Sequence, residues 1–270
     1  MSNTIFKDAT LDKKLSKDGY VIVPLLTEGD IEELVEFYTQ KQGSATTFFT
    51  TLMYDNQAYK VAVNMKIQQV FSDVVDKLFV SYTPFWGNFF SKQPGSFEMP
   101  LHADLQYVNE EDKISLNIWC LLSDTNKTNG TLGIVPRSHQ LMRQIRGTNI
   151  TDAYRKNAKA IADKYGVLLE FKKGEAIIYD HRLLHYSAAN RSSQNRIAAT
   201  LVMVPEREQL VHYFAENEGD TTFFKYNINT AEDLIRAGFL KKPIHLPVSG
   251  VIENYCFEPL TVEDFDELYR

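Results

Sequence analysis

The sequence is poor in the features that mark secreted and membrane proteins. It contains only two cysteines, Cys120 and Cys256, so a disulfide framework is not expected and a reducing cytoplasm is the predicted compartment. No stretch reaches the roughly 18–20 apolar residues that a membrane helix needs. The first residues also lack the apolar core of a signal peptide. These absences predict no association with a membrane.

Runs of basic residues are also missing, and the formal net charge is −6. Nucleic-acid binding is therefore disfavoured, because it depends on a basic surface that neutralises phosphates. Hydrophobic residues make up 44% of the 270 positions, which is enough for a substantial buried core. Length and composition predict a single domain over residues 1–270.

The N-terminal part, about residues 1–80, is predicted to be helical with one strand at 20–24. Thr27 is placed to cap the helix that follows this strand. Residues 42–60 are polar, aromatic and aperiodic, which predicts a long loop of the kind that often forms a lid. Apolar residues return at helical spacing over 65–79.

From about 81 to 205 the pattern changes to short apolar runs separated by turn residues. This rhythm predicts an antiparallel β-sandwich or barrel. One helix is predicted within it, over 151–165, and two short helices in a C-terminal extension over 206–270, beginning at Thr230 and Thr261. The predicted strands of the core are 85–90, 115–122, 131–135, 167–171, 176–179 and 197–204.

A metal site is indicated by histidines and one aspartate in this β-region. His102 and Asp104 point to the same side of an extended segment and can reach one ion together. His185, after the strand at 176–179, is the best candidate for a third ligand. His181 is the alternative, but His-x3-His pairs belong on helices and this stretch follows a strand. Two histidines and one carboxylate with open positions are typical of non-haem Fe(II) oxygenases.

The residues around these ligands resemble the phytanoyl-CoA dioxygenase family of Fe(II)- and 2-oxoglutarate-dependent oxygenases. The resemblance covers roughly residues 10–205 and is weak or absent beyond them. It implies a mainly β fold with flanking helices, built on a double-stranded β-helix (a cupin-like jelly roll). The segments that carry it are 18–24, 101–104, 115–124, 129–139, 174–179, 185–193 and Arg196.

The resemblance also assigns roles to individual residues. His102, Asp104 and His185 match the iron ligands, and Arg196 matches the arginine that binds the far carboxylate of 2-oxoglutarate, for which its planar fork of donors is suited. The family usually has glycine where this sequence has Arg137, so a different turn is expected there. Further candidates for the cosubstrate pocket are Ser187, Asn117 and Trp119, and candidates for substrate contacts are Gln106, Tyr107, Phe48, Phe49 and Arg146.

The implied function is hydroxylation of an unactivated C–H bond in a small molecule, with Fe(II), 2-oxoglutarate and O2 required and succinate and CO2 released. A specialised metabolite, an amino acid or an acyl derivative would serve as substrate. The carboxylate of Asp104 disfavours halogenation, whereas desaturation, epoxidation and cyclisation stay open. The alternatives are a cupin-like metalloenzyme with another metal or without 2-oxoglutarate, and a non-catalytic jelly-roll binding protein.

Overall fold

The computed structural model describes residues 4–41, 48–238 and 240–270. Within these ranges no helix is both long and apolar enough to cross a membrane. The helices are α1 (Ala9–Asp18), α2 (Glu28–Lys41), α3 (Gln57–Leu78), α4 (Ala158–Tyr165), α5 (Ala231–Ala237) and α6 (Val262–Leu268). The strands are β1 (Tyr20–Pro24), β2 (Phe48–Thr50), β3 (Tyr82–Lys92), β4 (Met99–His102), β5 (Leu116–Leu121), β6 (Leu132–Ile134), β7 (Val167–Leu168), β8 (Glu175–Asp180), β9 (His185–Ser187), β10 (Arg196–Pro205), β11 (Leu210–Phe214), β12 (Phe223–Ile228) and β13 (Val248–Ile252).

Two antiparallel sheets form the core. The larger has the strand order β1-β8-β5-β10-β3-β2, and the smaller has the order β4-β9-β6-β7. Neighbouring strands come from distant parts of the sequence, so the sheets close by long connections rather than by successive hairpins. The predicted mainly β, cupin-like jelly roll with flanking helices is confirmed.

Every residue of the central strand β5 is buried, because both faces of the large sheet are covered. On the outer face Ile118 and Cys120 pack into a core shared with α1, α2 and α3. On the inner face Trp119 and Leu121 pack against β6 and the segment after β7. The continuous apolar run of β5 is the pattern expected for a strand buried on both sides.

The predicted strands are confirmed in position, and the largest overestimates of length concern one strand and one helix. Strand β7 ends at Leu168 rather than at residue 171. The helix predicted over 151–165 begins only at Ala158, after a 3-10 turn at Arg155–Asn157. Before that turn lies the buried Tyr154, whose hydroxyl accepts a hydrogen bond from the backbone of Ala103 at 3.0 Å.

The long loop predicted over 42–60 was wrong for its described part, whereas residues 42–47 lie outside the described residues. Strand β2 pairs with β3, with Phe48 opposite Lys92. Helix α3 begins at Gln57, where the side chain of Asn56 accepts a hydrogen bond from the backbone of Tyr59. The pairing of β2 with a distant strand and the cap at Asn56 produce no periodic pattern of apolar residues, so neither could be predicted from the sequence.

The C-terminal extension forms a third sheet, with the order β11-β12-β13, which the sequence did not predict. Strand β11 joins this sheet to the core, because the backbone of Val211 donates to Tyr107 at 2.8 Å and that of Thr148 donates to Tyr213 at 2.9 Å. The two predicted short helices are confirmed, and both begin with capping boxes, at Thr230 and Thr261.

Arg137 has a left-handed backbone, with φ of 65°. This region favours glycine because a side chain there meets the backbone. Arg137 therefore has a strained conformation that glycine would adopt more easily.

Candidate metal and cosubstrate site

Three side chains converge where the small sheet meets the large one. His102 ends β4 and His185 begins β9, and the two are direct partners in the antiparallel pairing, with ring centroids 4.1 Å apart. Asp104 lies two residues beyond β4, with Oδ1 3.7 Å from Nε2 of His185. One ligand atom from each residue lies within 4.8 Å of the others, so the group could hold one metal ion.

Backbone carbonyls orient both imidazole rings. Nδ1 of His102 lies 2.8 Å from the carbonyl of Pro100, and Nδ1 of His185 lies 3.0 Å from that of Leu183. A carbonyl only accepts, so each Nδ1 carries a hydrogen, and Nε2 is the nitrogen left with the lone pair when the ring is neutral. This arrangement presents Nε2 of both rings to a metal.

The carboxylate of Asp104 is held by two side chains of the large sheet. Its Oδ2 accepts hydrogen bonds from the hydroxyl of Tyr179 at 3.0 Å and from Nδ2 of Asn117 at 3.3 Å. Burial raises the pKa of Tyr179 well above its usual value, and Asp104 raises it further, so the phenol remains a donor. Asn117, predicted in the cosubstrate pocket, thus contacts a candidate metal ligand.

Asp104 is ionised in this environment. Burial alone would raise its pKa, but the nearby His185, His181 and His102 lower it to about 2. Burial and, after it, the nearby His185 lower the pKa of His102 to about 4. A neutral imidazole beside a carboxylate is the protonation state that metal binding requires.

His181 lies behind Asp104 and outside the group of converging ligand atoms. Its Nδ1 is 3.0 Å from the hydroxyl of Ser115 and 3.2 Å from the carbonyl of Leu105. Its Nε2 is 3.8 Å from Oδ2 of Asp104, the oxygen that already has two donors. The geometry therefore favours His185 over His181 for the third position.

Arg196, the first residue of β10, is buried among inward-facing side chains. Its guanidinium lies 5.0 Å from the ring of Trp119, and its Nε and Nη1 have no hydrogen-bond partner in the described part of the chain. Burial lowers the pKa of Arg196 to about 10. Buried donors without partners are rare in proteins, so this cation is suited to bind an anion.

Ser187 lies near the same region. It follows His185 by two residues on β9, so both side chains face the same way, and it is buried. Of the predicted cosubstrate residues, Arg196 and Trp119 lie next to each other, and Ser187 shares strand β9 with His185.

Lys92 is a second buried cation that the sequence analysis missed. It pairs with Arg196 across β3 and β10, and its Nζ donates to the carbonyls of Phe97, Ser187 and Ala188 at 2.8, 3.2 and 2.6 Å. Burial and the nearby Arg196 lower its pKa to about 7. The available signal was a lysine at the end of a strand that has no other charged residue.

The predicted substrate residue Arg146 is buried and already paired. Its guanidinium forms two hydrogen bonds with Glu110, at 2.8 and 2.7 Å, and its Nε donates to the carbonyl of Asp104 at 2.8 Å. Gln106 bonds to the backbone as well, from Nε2 to Val108 at 2.9 Å. Both residues support the segment that carries Asp104.

The aromatic candidates separate onto different faces. Tyr107 is close to the site, with its ring 5.6 Å from that of His181. Phe48 lies opposite Lys92 on β2 and shares its inward face. Phe49 points the other way, into the outer core with Tyr38, so the structure does not bring it to the site.

A jelly roll that brings two histidines and one carboxylate to one point defines the class of non-haem Fe(II) oxygenases. The model of the family described as phytanoyl-CoA dioxygenase matches residues 17–198. The chain belongs to this family. The match contains all three converging residues and Arg196, and it ends before the third sheet.

Curated relatives support the same family. A phytanoyl-CoA dioxygenase of Arabidopsis thaliana is 34% identical over 118 residues, which cover 42% of this chain and 41% of the relative. A phytanoyl-CoA dioxygenase domain-containing protein 1 of Danio rerio is 30% identical over 113 residues, 39% of each chain. The matched part thus spans about two fifths of the length of these relatives.

Solved structures share the fold at low identity. SnoK, a non-haem α-ketoglutarate-dependent carbocyclase from nogalamycin biosynthesis, aligns with a TM-score of 0.52 and 17% identity over 76% of this chain and 86% of its own. HygX from Streptomyces hygroscopicus, solved with nickel, 2-oxoglutarate and hygromycin B, aligns with a TM-score of 0.51 and 12% identity over 73% and 87%.

Proposed function

We propose that this chain is an Fe(II)- and 2-oxoglutarate-dependent dioxygenase, with His102, Asp104 and His185 as the iron ligands. The observation that carries the proposal is the buried guanidinium of Arg196, whose Nε and Nη1 lack partners in the described residues. A carboxylate satisfies such a fork of donors with two hydrogen bonds. A metal site alone would not need this cation, whereas 2-oxoglutarate does.

Neighbouring side chains suit the same cosubstrate. The ring of Trp119 lies 5.0 Å from the guanidinium of Arg196. Lys92 adds a second positive charge on the neighbouring strand, directly opposite Arg196. Together they favour a dianion with one carboxylate near Arg196 and its keto-acid end near the triad. Ser187 can donate its hydroxyl to the carboxylate that Arg196 binds.

Bound Fe(II), with 2-oxoglutarate and O2, supplies an oxidant able to attack an unactivated C–H bond, with succinate and CO2 as by-products. The protein contributes position and environment. His102 and His185 hold Nε2 toward the metal through their carbonyl contacts, and the buried inner face around Trp119 excludes water from the cosubstrate. Arg146 fixes the backbone of Asp104, and so the approach of this ligand.

The proposed substrate is a small molecule, and the expected reaction is hydroxylation. The two arginines near the site are not available to a substrate, because Arg146 is paired with Glu110 and Arg196 is assigned to the cosubstrate. A polyphosphate handle would find no free cation among these residues. Proteins with this fold include HygX, solved with hygromycin B bound, and SnoK, a carbocyclase from nogalamycin biosynthesis, which supports a specialised metabolite as substrate. We further propose one domain and a cytoplasmic location.

The test is an anaerobic titration of metal-free protein with Fe(II) and 2-oxoglutarate, followed by the visible charge-transfer band of the chelate. We expect a band that His185→Ala abolishes and that needs more 2-oxoglutarate in Arg196→Ala. No band in folded wild-type protein would leave a non-catalytic jelly roll. Metal binding without any effect of 2-oxoglutarate would indicate a cupin-like enzyme of another kind.

A further inference from the structure

The two oxygens of the Asp104 carboxylate have different surroundings. Oδ2 accepts hydrogen bonds from Tyr179 at 3.0 Å and Asn117 at 3.3 Å. Oδ1 faces the histidines and lies 3.7 Å from Nε2 of His185. One oxygen is therefore engaged by the protein, and the other is available to a metal.

Hydrogen-bond direction makes this arrangement self-consistent. Nδ2 of Asn117 donates to the hydroxyl of Tyr179 at 2.9 Å, so the phenol must use its own hydrogen elsewhere. Two acceptors are in reach, Oδ2 of Asp104 at 3.0 Å and Nε2 of His185 at 3.4 Å. The charged and closer carboxylate is the stronger acceptor. Nε2 of His185 therefore stays free.

The backbone holds both donors in place. Asn117 on β5 and Tyr179 on β8 are direct partners in the large sheet, and both are buried. Their side chains share the inner face that meets the triad. Neither side chain can turn away without breaking the packing on that face.

The number of carboxylate oxygens through which Asp104 would bind iron decides how many coordination positions remain on the metal. A carboxylate that binds through one oxygen leaves room for 2-oxoglutarate and O2 together. A carboxylate that binds through both would take one of those positions. We propose that Tyr179 and Asn117 are positioning residues that keep Asp104 a one-oxygen ligand, an inference that rests on the proposed function.

The experiment uses full-length metal-free protein titrated with Co(II), whose visible ligand-field spectrum reports coordination number. We expect Tyr179→Phe and Asn117→Leu each to weaken Co(II) binding by about 10- to 100-fold, the range for residues that orient metal ligands. The spectrum should also change in both variants. Because Asn117 acts partly through the phenol, the double variant should lose less than the product of the single effects.

Tyr82→Phe is the matched control, because this buried hydroxyl donates to the carbonyl of Ile114 at 2.9 Å outside the site. It should bind Co(II) with wild-type affinity and spectrum. Wild-type affinity and spectrum in both Tyr179→Phe and Asn117→Leu would overturn the inference, and so would weaker binding with an unchanged spectrum. Failure of the wild type to bind Co(II), or equal binding by His185→Ala, would instead overturn the proposed function.

Discussion

Replacing Arg196 by methionine should shift stability and cosubstrate affinity in opposite directions. The guanidinium is buried, with two donor nitrogens unpartnered within the described residues. Burial lowers its pKa from 12.5 to about 10, which corresponds to about 3 kcal/mol of free energy that the charged form costs the folded protein. Methionine has a similar length and no charge, so it removes this cost.

Part of that gain is offset by contacts that methionine cannot replace. The guanidinium lies 5.0 Å from the ring of Trp119, a cation–π contact worth about 1–2 kcal/mol when desolvated. We therefore expect Arg196→Met to raise the free energy of unfolding of the metal-free protein by about 1–2 kcal/mol. Loss of one partner of a buried charge pair should weaken 2-oxoglutarate binding by about 30-fold or more.

Urea unfolding of metal-free protein measures the first effect, and anaerobic titration of the Fe(II) protein with 2-oxoglutarate measures the second. Arg182→Met is the control, since Nη2 of Arg182 lies 2.6 Å from Oδ2 of the buried Asp180. That variant should lose stability, because it leaves a buried carboxylate unpaired, and should keep its 2-oxoglutarate affinity. Destabilisation by Arg196→Met with unchanged affinity would show that protein groups already satisfy this cation.

Three further predictions concern stability. Because the pKa of Lys92 in the folded protein is lowered to about 7, the unfolded chain binds more protons above that pH. The free energy of unfolding of the wild type should therefore rise by about 2 kcal/mol relative to that of Lys92→Met between about pH 7 and 9. Glu110→Gln leaves the buried Arg146 without its counter-charge and should cost about 3 kcal/mol in urea unfolding. Arg137→Gly removes a left-handed side chain and should raise the unfolding free energy by about 1 kcal/mol.

Each of these predictions has its own control. For Lys92, the lowered pKa would be contradicted if the difference in unfolding free energy between wild type and Lys92→Met did not change with pH. For Glu110, the exposed pair of Lys159 and Asp163 gives the comparison, and Asp163→Asn should cost much less stability than Glu110→Gln, because exposed ion pairs contribute little. For Arg137, the alanine variant keeps the strained backbone and should not be stabilised.

The convergence of the three candidate metal ligands was predictable from sequence because their features are local. His102 and Asp104 are two residues apart, and His185 follows a strand whose apolar run is unmistakable. The strands β5, β8 and β10 were predicted for the same reason, since burial on both faces leaves continuous apolar runs. Arg196 followed from the spacing after His185 in the family resemblance.

The remaining parts depend on pairing between distant residues, which no local pattern encodes. Tyr179 reads as one more apolar strand residue until β8 is paired with β5 and sets it opposite Asn117. Strand β2 and the sheet of β11, β12 and β13 likewise exist only through their partners. Phe48 and Phe49 were predicted together as substrate contacts, but alternation along β2 sends Phe49 to the outer core.

The pairing of β4 with β9 gives the metal a mechanical role as well as a chemical one. These short strands meet only at Met99 with Ser187 and at His102 with His185, with an irregular register between. An ion bound by both histidines would hold these two weakly paired strands together. Loading the site would therefore slow amide exchange in both strands. Loss of the metal would weaken the pairing of β4 with β9, the strands that carry the two histidines. Rebinding of the ion and restoration of this pairing would therefore occur together.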